Sequence, residues 1–218
     1  MTKKEIASEG VEIAGKILLS AIPIGGVLAT CVWDSIKAHS VQYRLDEWKR
    51  VIEDRLTNVE RTLEDIGGNE LFASAMMRST DIAIKTAESD KREYLANAVY
   101  NSLEIHINES IMMMYLNMLE EYTVWHIKIL NYFRNPLACE RVNANNYMMG
   151  SAMGPLLQVF PELIEKKEIV NKIVKDFQKD GLLSEGSYLT GTMTNSGMVA
   201  ARTTVWGNEF LEFITENK

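Results

Sequence analysis

Apolar residues recur every three or four positions between residues 45 and 66, and this spacing constrains the fold more than any other feature of the chain. The residues are Leu45, Trp48, Ile52, Leu56, Val59, Leu63 and Ile66. At about 100° per residue they fall within an arc of about 80°, which is typical of a helix that packs on one or two others. Charged residues occupy its other faces, and Gly67-Gly68 ends it. The pattern predicts a member of a helical bundle, with a dimer seam as the alternative.

Three further helices are predicted after this one. The second runs from about Asn69 to Ala87, where small residues permit close packing. Ser89 or Asp90 is suited to cap the third, and Asn108 to cap the fourth. Asn135-Pro136 stops the fourth helix, because the residue before a proline is biased away from helical geometry.

The fourth helix, predicted over residues 109–133, contains the run Ile111-Met112-Met113-Met114-Tyr115-Leu116. The run is apolar on nearly every side of a helix, which favours a central position in the core. The alternative is a pliable binding surface, because the methionine side chain is flexible and polarizable.

An uncharged run of 17 residues, Ile17 to Trp33, dominates the N-terminal segment. A spanning helix needs about 20 apolar residues, and Pro23, Gly25 and Gly26 interrupt this run. We expect an apolar helical hairpin that packs on the rest of the chain. A segment that inserts in or lies on a membrane is the main alternative, and a secretion or lipidation signal is a weaker one. The candidate membrane or partner residues are Ile17, Leu18, Leu19, Ile22, Ile24, Val27, Leu28, Val32 and Trp33.

The C-terminal third has the element order of a winged helix-turn-helix. The predicted elements are helices over Tyr122–Phe133, Met153–Leu163 and Glu168–Lys179, strands over Ser187–Thr194 and Met198–Val205 joined at Asn195-Ser196-Gly197, and a closing helix over Glu209–Ile214. The complete chain is therefore predicted to be mainly α, with a β hairpin near its C-terminus. Its predicted divisions are an apolar segment over 1–38, a helical bundle over 39–121 and a winged-helix-like module over 122–218.

Charge argues against a protein that coats nucleic acid. The net charge is −7, because residues 1–121 carry 13 basic and 20 acidic residues while residues 122–218 carry ten of each. Candidate nucleic-acid contacts are Lys172, Lys175 and Lys179 on one face of a predicted helix, with Arg202 on the wing. Glu168 and Asp176 share the lysine face, however, and no Arg, Asn or Gln stands among the lysines.

Enzyme chemistry has little support in the sequence. The chain has no Walker, GxGxxG, HExxH, GxSxG or CxxC motif. His126 has no acidic residue three or four positions beyond it, His106 lies near scattered carboxylates, and Cys139 has no evident base. We therefore expect no catalytic residues, no metal ligands and no cofactor.

Three segments together resemble small bacterial proteins associated with abortive infection, the Abi-alpha-like and related defence proteins. They are Arg44, Leu45, Glu47 and Trp48 after the Gly/Pro-broken apolar start, the run HIKILNYFRNP from His126 to Pro136, and DGLL before the C-terminal TTVWGNEFLEFI. The resemblance covers most of the chain and implies a setting in phage defence. It supplies no functional residues.

These observations predict a non-enzymatic interaction protein that acts at a membrane or on a protein partner, with self-association as a further option. A DNA-binding regulator that uses the winged-helix module is the alternative. We expect a cytoplasmic location, with membrane association left open, and no small-molecule substrate is indicated.

Overall fold

The computed structural model describes residues 27–57 and 68–216, with side chains described from residue 40 onward. The candidate segment residues Ile17, Leu18, Leu19, Ile22 and Ile24 lie outside the described residues, as do Val59, Leu63 and Ile66 of the apolar seam. Val27, Leu28, Val32 and Trp33 belong to the first described helix, but their side chains lie outside the description.

The described chain is mainly helical, as predicted. The α-helices are α1 (Val27–Leu56), α2 (Glu70–Lys85), α3 (Ser89–Glu104), α4 (Glu109–Glu121), α5 (Val124–Arg134), α6 (Met153–Val159), α7 (Lys167–Lys179), α8 (Asn195–Met198) and α9 (Val205–Ile214). Short 3-10 segments cover Pro136–Ala138, Ala144–Asn146 and Pro161–Lys166. An antiparallel sheet pairs β1 (Met149–Gly150) with β2 (Met193–Thr194), with Met149 opposite Thr194.

The chain forms two compact units. One contains the described residues as far as Val124 together with those from Phe213 onward, and the other is Trp125–Glu212.

The apolar seam forms part of the core of the first unit. Leu45, Trp48, Ile52 and Leu56 are buried, as their spacing predicts. The indole nitrogen of Trp48 donates a hydrogen bond of 2.9 Å to the Thr80 hydroxyl, so α1 and α2 share a polar contact inside an apolar interface. That contact fixes the register of the two helices, because neither buried group has water as a substitute partner.

The end of α3 carries two asparagines that hold the last residues of the first unit. The amide nitrogen of Asn101 donates to the carbonyl oxygens of Phe213 and Thr215, each at 2.9 Å. Asn97 donates to the carbonyl oxygen of Ile214 at 3.1 Å. Phe213, Ile214 and Thr215 lie at or just beyond the C-terminal end of α9, where a helix leaves carbonyls for other donors to bond.

The prediction of one helix over residues 109–133 is wrong, because the backbone becomes extended at Tyr122 and the helix ends there. Lys91 explains the break. Its ammonium nitrogen donates to the carbonyl oxygens of Glu120 and Tyr122 at 2.7 and 2.8 Å, which satisfies groups that a continuing helix would have bonded itself. The Asn108 cap is confirmed, since its side chain accepts from the Ser110 amide. The proposed cap at Ser89 or Asp90 is wrong, because Glu88 occupies that position and makes no side-chain cap bond.

Helix α7 confirms the helix predicted over Glu168–Lys179, and it buries one face in the second unit. Its apolar side chains Val170, Ile173, Val174 and Phe177 are all buried. Gly181 follows with a φ of 73°, a left-handed conformation that glycine adopts without strain. The chain then returns to the core at Leu182 and Leu183.

The predicted β hairpin around Asn195-Ser196-Gly197 is wrong in its pairing. The Thr194 hydroxyl accepts a hydrogen bond from the Gly197 amide and caps one helical turn, α8, where a hairpin turn was expected. Met193–Thr194 pairs instead with Met149–Gly150, and the Met198–Val205 segment contributes only the isolated bridge of Thr203 to Leu183.

Candidate functional site

The three candidate lysines share the exposed side of α7. Lys172 and Lys179 are 71% and 77% exposed, and Lys175 is exposed between them. Lys172 donates to both carboxylate oxygens of Asp176 at 2.6 Å, and Lys179 lies 3.9 Å from Asp180. Acidic neighbours therefore offset much of the positive field that a phosphate backbone would require.

The Arg202 side chain makes its contacts within the second unit itself. Its guanidinium donates to the carbonyl oxygen of Gly197 at 2.6 Å and lies 4.4 Å from the centre of the Tyr188 ring. The structure therefore places Arg202 apart from the lysine row, in a contact that holds the α8 turn.

His126 and Asp176 form a pair that spacing in the sequence does not reveal. The imidazole Nε2 lies 3.5 Å from the Asp176 carboxylate, and the two residues are 50 positions apart in sequence. Burial alone would raise the pKa of Asp176, but hydrogen bonds and positive charge from Lys172 and His126 lower the pKa below its usual value. Because the His126 ring also packs edge-on against Phe177, the arrangement fixes α5 against α7.

An apolar stripe lies on the outer surface of α4 in the first unit. Ile111 and Met114 are 37% and 53% exposed, and Met118 is half-buried. At about 100° per residue the three side chains fall within an arc of about 60°. Met112 is buried in the core. The methionine run therefore lies partly in the core and partly on the surface, whereas its apolar composition favours a position in the core.

The opposite edge of α4 is fixed to α2 by polar contacts. The Arg78 guanidinium donates to the Asn117 side chain at 2.9 Å and to the Glu120 carboxylate. The Ser74 hydroxyl lies 3.3 Å from a Glu109 carboxylate oxygen. These bonds, with the Lys91 cap, hold α4 in a fixed rotation, so the apolar stripe is presented outward on a rigid element.

An acidic side chain borders the stripe. Helix α4 contains Glu109, Glu120 and Glu121 and no lysine or arginine. Glu120 is paired with Arg78 and Glu109 lies beside Ser74 on the opposite edge, whereas Glu121 is exposed next to the stripe. Glu121 follows Met114 by seven positions and Met118 by three, so it stands at the C-terminal end of the stripe. The surface combines flexible apolar side chains with a negative margin.

The other sequence candidates do not converge on a reactive site in the described residues. Burial raises the pKa of the Cys139 thiol, which favours the less reactive protonated form. No group of three or more His, Cys, Asp or Glu suited to hold a metal ion occurs in the described part of the chain. Among residues 27–57 and 68–216, no helix combines the length and hydropathy needed to cross a membrane.

Comparison of the chain with protein-family models, with curated proteins and with solved structures gave no match.

Proposed function

We propose that this chain is a non-enzymatic interaction protein that binds a basic amphipathic helix of a partner protein along the apolar stripe of α4. The exposure of Ile111 and Met114 on a helix that carries glutamates and no basic residue supports this proposal. Amphipathic helices bind apolar surfaces through side chains spaced three or four apart, and basic residues at their margins would face Glu121.

We extend this proposal to phage defence because the sequence resembles abortive-infection proteins. In that setting the partner is a protein of the phage or of the infected cell. The apolar segment at residues 17–33, which lies largely outside the described residues, stays the predicted membrane or second partner element.

The test is a titration of the full-length protein with a synthetic amphipathic helical peptide of leucine and lysine. We expect Met114→Glu and Ile111→Glu each to weaken binding by about tenfold or more, because a charge would enter a desolvated apolar contact. Met77→Glu is the matched control. Met77 is 55% exposed, almost the same as Met114, but lies on α2 outside the stripe. Equal binding by Met114→Glu and Met77→Glu would contradict the proposal.

The alternative of DNA binding through α7 has less support. Residues 125–212 contain nine basic and nine acidic side chains, so this unit carries no net positive charge. The lysines of α7 stand beside Asp176 and Asp180, and the expected wing hairpin is not formed by the described residues.

A further inference from the structure

A cavity of about 520 Å³ in the second unit is independent of the α4 stripe. It lies between the C-terminal half of α5, the segment that follows it and the end of α6. The lining residues are Lys128, Asn131, Tyr132, Arg134, Asn135, Ala138, Cys139, Val159 and Phe160. Its volume falls within the range typical of pockets that hold small organic ligands.

The charged residues that line the cavity are both basic. Lys128 and Arg134 contribute an ammonium and a guanidinium, and no acidic residue is among the lining side chains. The Lys128 ammonium lies 5.9 Å from the centre of the Trp125 ring. A guanidinium nitrogen of Arg134 lies 3.0 Å from a carboxylate oxygen of Glu212, which is not one of the lining residues. The lining of the cavity therefore carries two cationic groups and no carboxylate.

The cavity wall is aromatic as well as basic. The ring of Phe160 lies 5.8 Å from that of Trp125 and 6.1 Å from that of Tyr132, in edge-to-face geometry with both. These contacts fix the orientation of Phe160 and make the wall rigid. A planar ring entering the cavity would gain apolar burial together with edge-to-face or stacked contacts.

Tyr132 contributes to the wall of the cavity. Its side chain is buried, and its ring packs edge-on against Phe160. Burial, together with the nearby Tyr147 and Cys139, raises the pKa of its hydroxyl far above the usual value, while Arg202 acts in the opposite direction. Tyr132 therefore extends the aromatic wall beside Phe160.

We infer that this cavity binds a small aromatic anion, whose carboxylate or phosphate group lies between Lys128 and Arg134 and whose ring packs against Phe160. Asn131 and Asn135 offer additional hydrogen bonds to polar substituents. The Cys139 thiol contributes to the wall as a neutral group. Binding at this cavity does not depend on the α4 stripe, since the two sites share no residue.

The probes are benzoate and phenyl phosphate, with benzamide and benzyl alcohol as uncharged counterparts, titrated into the full-length protein by ligand-observed NMR. We expect the anions to bind more tightly than the uncharged compounds. The benzoate and phosphate arms show which anionic group the site prefers. Lys128→Ala and Arg134→Gln should each weaken anion binding by about tenfold, as loss of a charge-assisted hydrogen bond implies.

Three further variants make the test specific to the cavity. Val159→Trp fills the space and should abolish binding while the thermal unfolding transition is retained. Glu212→Gln releases Arg134 from its ion pair and should tighten binding several-fold. Lys175→Ala removes a cation of the same unit away from the cavity and should leave binding unchanged. The inference is overturned if neither anion binds, or if binding survives in Val159→Trp.

Discussion

Lys91 on α3 caps the end of α4 by donating from its ammonium nitrogen to the carbonyl oxygen of Tyr122 at 2.8 Å. A second bond reaches the carbonyl of Glu120 at 2.7 Å. Burial lowers the pKa of Lys91, although Glu88 and Glu120 act in the opposite direction. The buried side chain is held by the two hydrogen bonds that it donates to carbonyls at the end of α4. The cap also sets the rotation of α4 that turns Met114 outward.

Replacing Lys91 by methionine keeps the length and packing of the side chain but removes both hydrogen bonds. We expect a loss of about 1–3 kcal/mol in the free energy of unfolding, because the two hydrogen bonds that Lys91 donates would be lost. Urea unfolding measures this change. Lys85→Met is the control, since Lys85 is exposed on α2 and pairs with Asp81 at the surface, where an ion pair contributes less than about 1 kcal/mol. Equal losses in the two variants would contradict the capping role.

Gly207 in α9 is required by a close approach of backbone. A Cβ atom at this position would lie 2.2 Å from the carbonyl oxygen of Leu182. Gly207→Ala should therefore destabilise the protein by about 1–3 kcal/mol, as overpacking against a rigid neighbour does. Gly154→Ala in α6 is the matched control, because the added Cβ would meet only Met198 Cε at 3.9 Å. The control should be neutral or stabilising by up to about 1 kcal/mol, and thermal unfolding of the pair tests the difference.

Asp176 should make stability depend on pH in the acid range. Its pKa is lower in the folded protein than the ordinary value of 3.8, so the unfolded chain binds more protons in the window below that value. Its contribution is fully present above the unfolded pKa and is lost as pH falls through the folded pKa. Asp176→Asn should reduce stability near neutral pH and flatten the acid limb of the stability curve. Urea unfolding across this range measures both, and an unchanged acid limb would contradict the assignment.

Duplex DNA should not be retarded by the protein in a gel-shift assay at about 0.15 M salt. The lysines of α7 stand beside carboxylates, and residues 125–212 have no net charge, so few counterions would be released on binding. A salt-sensitive shift that weakens uniformly when Lys172, Lys175 and Lys179 become alanine would show that α7 binds the phosphate backbone after all.

Periodicity predicted the helices well where burial of one face decided the structure. Leu45, Trp48 and Ile52 in α1 and the apolar face of α7 are buried as their spacing indicated. The break at Tyr122 was not predictable in this way, because it depends on Lys91, which is 31 residues earlier in sequence. The hairpin failed for a similar reason. Local turn residues favoured it, but β2 pairs with Met149–Gly150, more than 40 residues upstream.

The functional surfaces were harder to predict than the fold. The sequence singled out the methionine run of α4 but did not show which members are exposed, since the run is apolar around the whole helix. Rotation of the helix is set by Arg78, Ser74 and Lys91, all of which lie on other helices. The cavity beside α5 depends on Phe160 lying against Trp125 and Tyr132, a contact between residues about 30 positions apart. The spacing of residues within one helix predicts neither the rotation of α4 nor the position of Phe160.

Calorimetric titration with the leucine-lysine peptide measures whether the α4 stripe binds a basic amphipathic helix. We expect the wild-type protein and Met77→Glu to bind the peptide, and Met114→Glu to bind it about tenfold or more weakly. High salt should weaken binding because charges at the margin are screened. Absence of binding by the wild-type protein, or the same affinity in Met114→Glu and Met77→Glu, would show that the stripe does not bind such a helix.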